Sequence, residues 1–144
     1  SAAPVKKRGT RAVFSCILGF CMKHSWHATT RDAQAAPIPE GRRSAQILRH
    51  GSLELRWYAP RGEDPQTPHE RDEIYVIAAG RAAFVRGAER VQVAAHDVLF
   101  VPAGMAHRFE EMSADFATWV MFYGATGGER ELPFFAGNPP NPTP

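Results

Sequence analysis

Gln66-Thr67-Pro68-His69-Glu70-Arg71-Asp72-Glu73-Ile74-Tyr75-Val76, closed by Ala78-Ala79-Gly80, is the stretch on which the reading of this chain turns. The run from Glu73 to Ala78 is rich in β-branched and aromatic residues, which is strand composition. Yet it opens on a carboxylate, Glu73, four residues after His69. A second stretch has the same character: Asp97-Val98-Leu99-Phe100-Val101-Pro102-Ala103-Gly104-Met105-Ala106-His107-Arg108-Phe109. A short continuous apolar run, expected to be buried on both faces, is stopped by Pro102; a turn follows, and His107 opens a new strand.

Outward from these stretches the period stays near two. In Ser52–Tyr58, Leu53, Leu55 and Trp57 fall on one face and Glu54, Arg56 and Tyr58 on the other. Residues 82–86, Gly87 and residues 90–94 read as a hairpin. His107–Met112 alternates again, and Phe116–Tyr123 is the longest apolar strand. Strands recur about every ten residues and no helical pattern of ten or more appears in 45–124, which predicts an all-β sandwich or barrel.

The chain of 144 residues is one domain's worth, and no run of 18 apolar residues is present to span a membrane as a helix. The formal charge of +2 hides two compositions. Residues 1–36 carry six bases against one acid, Asp32, a net of +5, together with every lysine and both cysteines. Residues 37–144 carry 11 arginines against 14 acids, a net of −3, with the arginines scattered. That excludes the clustered basic face of a nucleic-acid binder. The chain therefore divides into a leader or disordered extension over 1–36, a β-barrel domain over 37–136 and a Pro-rich tail over 137–144. The basic start, the apolar run Ala12–Met22 and the small triplet Ala33-Gln34-Ala35 outline a secretory signal, but Lys23 to Asp32 is a long polar spacer for one. The expected location is cytoplasmic, with export the alternative. Cys16 and Cys21 do not form a zinc spacing with His24 and His27 of any common kind.

If two sheets pack face to face, His69, Glu73 and His107 can converge between them. Two imidazoles and one carboxylate suit a divalent transition metal and leave coordination positions open. Each residue also has a plainer reading: His69 as a turn histidine after Pro68, Glu73 as a partner of Arg71, His107 as a turn histidine after Gly104.

The two stretches resemble the paired motifs of the cupin superfamily. His69-x3-Glu73-x6-Gly80 is similar to the second half of the pattern G-x5-H-x-H-x3,4-E-x6-G, and Pro102-x-Gly104-x2-His107 to the middle of G-x5-P-x-G-x2-H-x3-N. The resemblance runs from about Ser44 to Gly124 and implies a double-stranded β-helix, a jelly-roll barrel that is usually dimeric, with metal inside. It implies His69, Glu73 and His107 as metal ligands. Thr67 stands at the first motif histidine, so Gln66 is a weaker candidate for a fourth ligand. His96 and Glu111 stand where the second motif has its opening Gly and closing Asn.

Fe2+ or Mn2+ is the favoured cofactor, with Zn2+ or Ni2+ admissible. The expected function is a metal-dependent small-molecule enzyme of dioxygenase or isomerase type. A non-catalytic sugar- or phenol-binding barrel, or a structural barrel with a vestigial site, is the alternative. The expected partners are a small-molecule ligand and a second copy of the chain in a homodimer, with no nucleic acid. Catalytic groups stay unassigned; Glu111, four residues after His107, is a geometric guess for a base, with a salt bridge on the rim the favoured reading. Tyr75 and Phe109 share parity with Glu73 and His107 and are expected to line the pocket. Arg56 and Arg108 can hold an anionic substrate, although arginines on strands are usually solvated. His50 reads as surface, and His96 with Asp97 as a turn.

Overall fold

The computed structural model describes residues 26–130. Eight strands follow one short helix, α1 (Thr30–Ala35): β1 (Ala45–His50), β2 (Leu53–Tyr58), β3 (Asp72–Ala79), β4 (Arg81–Arg86), β5 (Glu89–Ala94), β6 (Val98–Val101), β7 (His107–Glu110) and β8 (Ala117–Tyr123). They form a five-stranded sheet in the order β1-β2-β8-β3-β6 and a three-stranded sheet in the order β5-β4-β7. Every pairing is antiparallel. The fold is the expected all-β double-stranded β-helix.

The inward row of β3 is Glu73, Tyr75 and Ile77, each at most 1% exposed. It meets Val120 of β8, Phe84 of β4 and Phe109 of β7 in one core cluster. The aromatic rings there pack edge-on or tilted, as in Tyr75–Phe109 at 5.1 Å and Phe109–Phe116 at 4.8 Å.

A second cluster lies on the outer face of the larger sheet. Ala33 and Ala36 pack on Ala45, Ile47, Trp57 and Ala117. This explains why Trp57 and its neighbour Tyr58 are both buried: α1 covers one face of β2 and the barrel interior takes the other. A capping box starts α1, with the Thr29 hydroxyl accepting from the Asp32 amide and the Asp32 carboxylate accepting from the Thr29 amide. Pro37 follows directly after its C-cap. The triplet Ala33-Gln34-Ala35 thus sits in a helix packed on the barrel, across the boundary drawn at 36. The apolar run 12–22, both cysteines and the tail 137–144 lie outside the described residues. Among the described residues no helix is long and apolar enough to cross a membrane.

One expectation is corrected. Val98–Val101 is not buried on both faces: β6 is an edge strand, with Val98 64% exposed and only Val101 buried. A four-residue apolar run reads the same at an edge as at a centre, because the difference lies in whether a second neighbour pairs with it.

The chain leaves the larger sheet for the smaller at Gly80, whose φ of 72° favours glycine. A Cβ there would stand 2.7 Å from Phe116 Cα. Gly51, at φ 59°, has nothing within 4 Å of such an atom. Gly80→Ala is therefore expected to cost about 2 kcal/mol or more in urea unfolding and Gly51→Ala about 1 kcal/mol, since only the first adds a backbone collision to the left-handed penalty. Equal losses would show that the crossover is not tightly packed.

Candidate metal centre

Three elements deliver three side chains to one point. Glu73 is the first inward residue of β3, opposite Phe122 of β8 on one side and Val101 of β6 on the other. His107 begins β7 after a Pro102–Met105 turn, closed by the Met105 amide donating to the Pro102 carbonyl. Gly104, at φ 80°, takes the third place of that turn, where a type II turn demands glycine. The same Gly104 amide donates to the His69 carbonyl at 2.8 Å, which ties the two motif loops together. The buried Asp72 carboxylate accepts from the Ala103 and Glu129 amides and anchors the same region.

His69 Nε2 lies 2.6 Å and His107 Nε2 3.1 Å from the same Glu73 oxygen. One ligand atom from each of the three residues falls within 4.8 Å of the others. The other nitrogen of each ring is committed. Nδ1 of His69 meets the Arg71 carbonyl at 2.6 Å, and Nδ1 of His107 meets the Met105 carbonyl at 2.8 Å. A carbonyl only accepts, so both Nδ1 atoms carry hydrogen and donate. In the neutral rings both Nε2 atoms then present lone pairs to an anionic oxygen. Such a set repels itself unless a proton or a cation lies among its members. The donor set fits a divalent metal ion, with backbone carbonyls orienting both imidazoles.

Without metal, a proton takes that place. Burial works against the Glu73 carboxylate, but hydrogen bonds from His107 and His69 outweigh it and hold its pKa below the usual range. Burial also works against imidazolium at His107, yet the Glu73 carboxylate and the Met105 carbonyl raise its pKa above the ordinary 6.5. Burial, with the Glu73 charge behind it, pushes the Tyr75 phenol well up, so it stays protonated. Tyr75 donates to Gln66 Oε1 at 2.8 Å, and its oxygen lies 3.0 Å from His107 Nε2. Gln66 Nε2 in turn donates to Asp64, a buried carboxylate that also accepts from the Tyr58 hydroxyl and the Phe109 amide. Gln66 reaches the centre through Tyr75, and Thr67 is exposed at the mouth.

The centre opens on a pocket of about 980 Å3. Glu73 and His69 face it, together with Glu54, Arg56 and Tyr58 of β2. Tyr75 and Phe109 do not line it; they lie behind the centre, in the core, because β3 and β7 turn those positions into the barrel. Arg108 points away and pairs with Glu110. Glu111, at φ 52° just past the end of β7, forms the favoured salt bridge, to Arg90 at 3.0 Å, and is no candidate base. His50 is exposed, and His96 takes a turn position at φ 81°. Sequence reasoning missed Asp64 and the pocket role of Glu54, Arg43, Arg49 and Arg71. The available signal was the polar row of β2, which faces the pocket because α1 covers the apolar row.

A profile described as "Cupin domain" matches residues 55–123. An uncharacterised protein of Streptomyces coelicolor is 42% identical over 79 residues, covering 54% of this chain and 75% of that protein. Among solved structures, a cupin 2 conserved barrel domain protein from Salinispora arenicola superposes with a TM-score of 0.53 at 21% identity, covering 69% of this chain and 87% of its own. A Rhizobium leguminosarum protein of unknown function gives 0.57 at 18% identity, covering 69% and 96%.

Metal binding must displace the His107 proton, so acid competes with metal. Since that pKa lies above 6.5, affinity is expected to start falling while the pH is still above 6.5. Below that point it is expected to fall by about tenfold or more per pH unit, as read by competition with a chromophoric chelator. A flat profile from pH 8 to 5 would contradict the ligand set.

Proposed function

This chain belongs to the cupin superfamily, and on that premise we propose that it is a mononuclear metal enzyme acting on a small molecule. His69, Glu73 and His107 hold the divalent ion, preferentially Fe(II) or Mn(II). One observation carries the reading. Both imidazoles are locked by backbone carbonyls with Nε2 turned toward a carboxylate that is 1% exposed. Two imidazoles and a carboxylate fixed in this way in the interior match the donor set of a divalent ion, for which a proton is the substitute.

When bound, the ion supplies Lewis acidity and open positions for a substrate oxygen and, for a redox metal, for dioxygen. The protein supplies the rest. The His69 side chain, 17% exposed, stands on the entrance side, whereas that of His107 is fully buried behind it. Substrate therefore approaches from the β2 side of the barrel. Val120 and Phe122 are apolar residues of the pocket there, on β8 between β2 and β3. The Met105 carbonyl holds His107 from behind through Nδ1, while the Tyr75 oxygen lies 3.0 Å from Nε2 and can accept its proton when no metal occupies that nitrogen. Both dioxygenase and isomerase chemistry are compatible with this arrangement.

The second reading, a non-catalytic small-molecule binder, draws on Thr67. It is exposed and offers no imidazole where the motif has its first histidine. Turnover separates the two. Protein loaded with Fe(II) under dioxygen, or with Mn(II) anaerobically, is expected to convert at least one member of a panel of small oxygenated and carbonyl compounds. His107→Ala is expected to lose both bound metal and about 100-fold or more of that activity. His69→Ala, in a less buried position, repeats the test if His107→Ala folds poorly. Wild-type metal stoichiometry in both variants would refute the assignment; metal bound without any turnover would favour the binder.

A further inference from the structure

We propose that the pocket selects an anion: a short carboxylate whose charged end is received by Arg56, with its remaining functional group directed toward the centre at Glu73. The inference rests on the metal-enzyme reading and adds the substrate class.

The strand register sets the distance. Arg56 of β2 lies opposite Val120 of β8, which lies opposite Tyr75 of β3. One pleat along, Glu54, Phe122 and Glu73 form the parallel row. Two strand spacings place the β2 row about 10 Å from the β3 row across the same inner face. Between them lie Val120, 3% exposed, and Phe122, whose ring meets the Arg71 guanidinium at 5.7 Å and the His69 ring at 5.1 Å, so the ground between the rows is apolar below and cationic at its edge.

Arg56 is built into the wall. Its Nε donates to the Ser44 hydroxyl at 2.7 Å, one terminal nitrogen to the Ser44 carbonyl at 2.9 Å and the other to Glu54 at 3.3 Å. Its side chain is only 11% exposed. A guanidinium has five N–H groups, so three are used and two remain. Two N–H groups on an immobilised guanidinium match one carboxylate, and little side-chain entropy is left to lose on binding.

Charge points the same way. Five arginines line the pocket (Arg42, Arg43, Arg49, Arg56 and Arg71) against three acids, Glu54, Glu70 and Glu73. Glu54 is already shared between Arg56 and Arg71, and Glu73 belongs to the centre. Among the described residues Arg42, Arg43 and Arg49 make no ion pair; Arg43 donates instead to the Pro65 carbonyl. The pocket is thus net positive in a segment, 37–144, whose formal charge is −3. A concave surface of one sign concentrates ligands of the other, and the rim arginines steer what Arg56 then holds.

The test uses the full chain loaded with Co(II), whose visible spectrum and stoichiometry report on the centre. Malonate, succinate and glutarate are titrated by calorimetry beside their neutral diamides. At least one acid is expected to bind about tenfold or more tighter than its own diamide, and Arg56→Met is expected to remove about tenfold of that preference with Co(II) stoichiometry unchanged. That variant also excludes simple chelation of the metal by the acid, which it would not affect. If Arg56→Met melts early, Arg56→Lys, which keeps the charge but not the fork, is expected to bind about threefold or more weaker than wild type. The exposed pair Arg43→Gln/Arg49→Gln is expected to flatten the salt dependence. If no acid exceeds its diamide, or if the preference survives Arg56→Met, the proposal is wrong. Failure of Co(II) to bind would instead count against the metal-enzyme reading, while the acid-to-diamide ratio still judges the pocket.

Discussion

Two ring nitrogens that cannot turn away from one buried carboxylate set the terms for the interior of this barrel. The Arg71 and Met105 carbonyls each take an Nδ1–H, which fixes both tautomers and both ring orientations. What is left pointing inward is a set of lone pairs around Glu73. In water such groups would be solvated; at 1% exposure the carboxylate has only its neighbours. A cation is the natural occupant, and a proton its substitute.

The rest of the fold can be read as support for that constraint. Two further buried carboxylates stand close by in sequence and do different work. Asp72 gathers two loop amides and fixes the approach to the second motif. Asp64 accepts from Tyr58, Gln66 and the Phe109 amide, joining the β2 side of the pocket to the strand that carries His107. A buried acceptor whose donor is removed costs about 1–3 kcal/mol, so each of these bonds ties its loop to the barrel. The pocket then inherits its shape from strand register, with Arg56 and Glu73 on rows two strands apart.

The sequence carried much of this. Period-two alternation, turn glycines and prolines were enough for an all-β barrel, and the spacings around His69, Glu73 and His107 were enough to bring these three together. What it concealed has one physical cause. The polar row Glu54, Arg56, Tyr58 looks like a solvent face by parity, and the apolar row with Trp57 looks like the core face. In the structure the polar row faces the pocket and α1 covers the apolar row, with Ala33 at 0% exposure. A six-residue helix in a segment of leader-like composition gives no pattern long enough to announce itself. Parity alone puts Glu111 on the His107 face, but parity holds only while the strand stays extended; φ there is 52°, and the side chain takes the salt bridge that is its favoured reading. Val98 likewise reads as core by composition and is exposed by its place at an edge.

X-ray absorption fine structure on Zn(II)-loaded full-length protein reads the ligand set without reference to any substrate. The expected spectrum is a first shell of nitrogen and oxygen at about 2.0–2.1 Å with the multiple-scattering signature of two imidazoles. A shell at about 2.3 Å from thiolate sulfur, or the signature of no more than one imidazole, would mean that the ion is held elsewhere and that the convergence on Glu73 is not a metal centre.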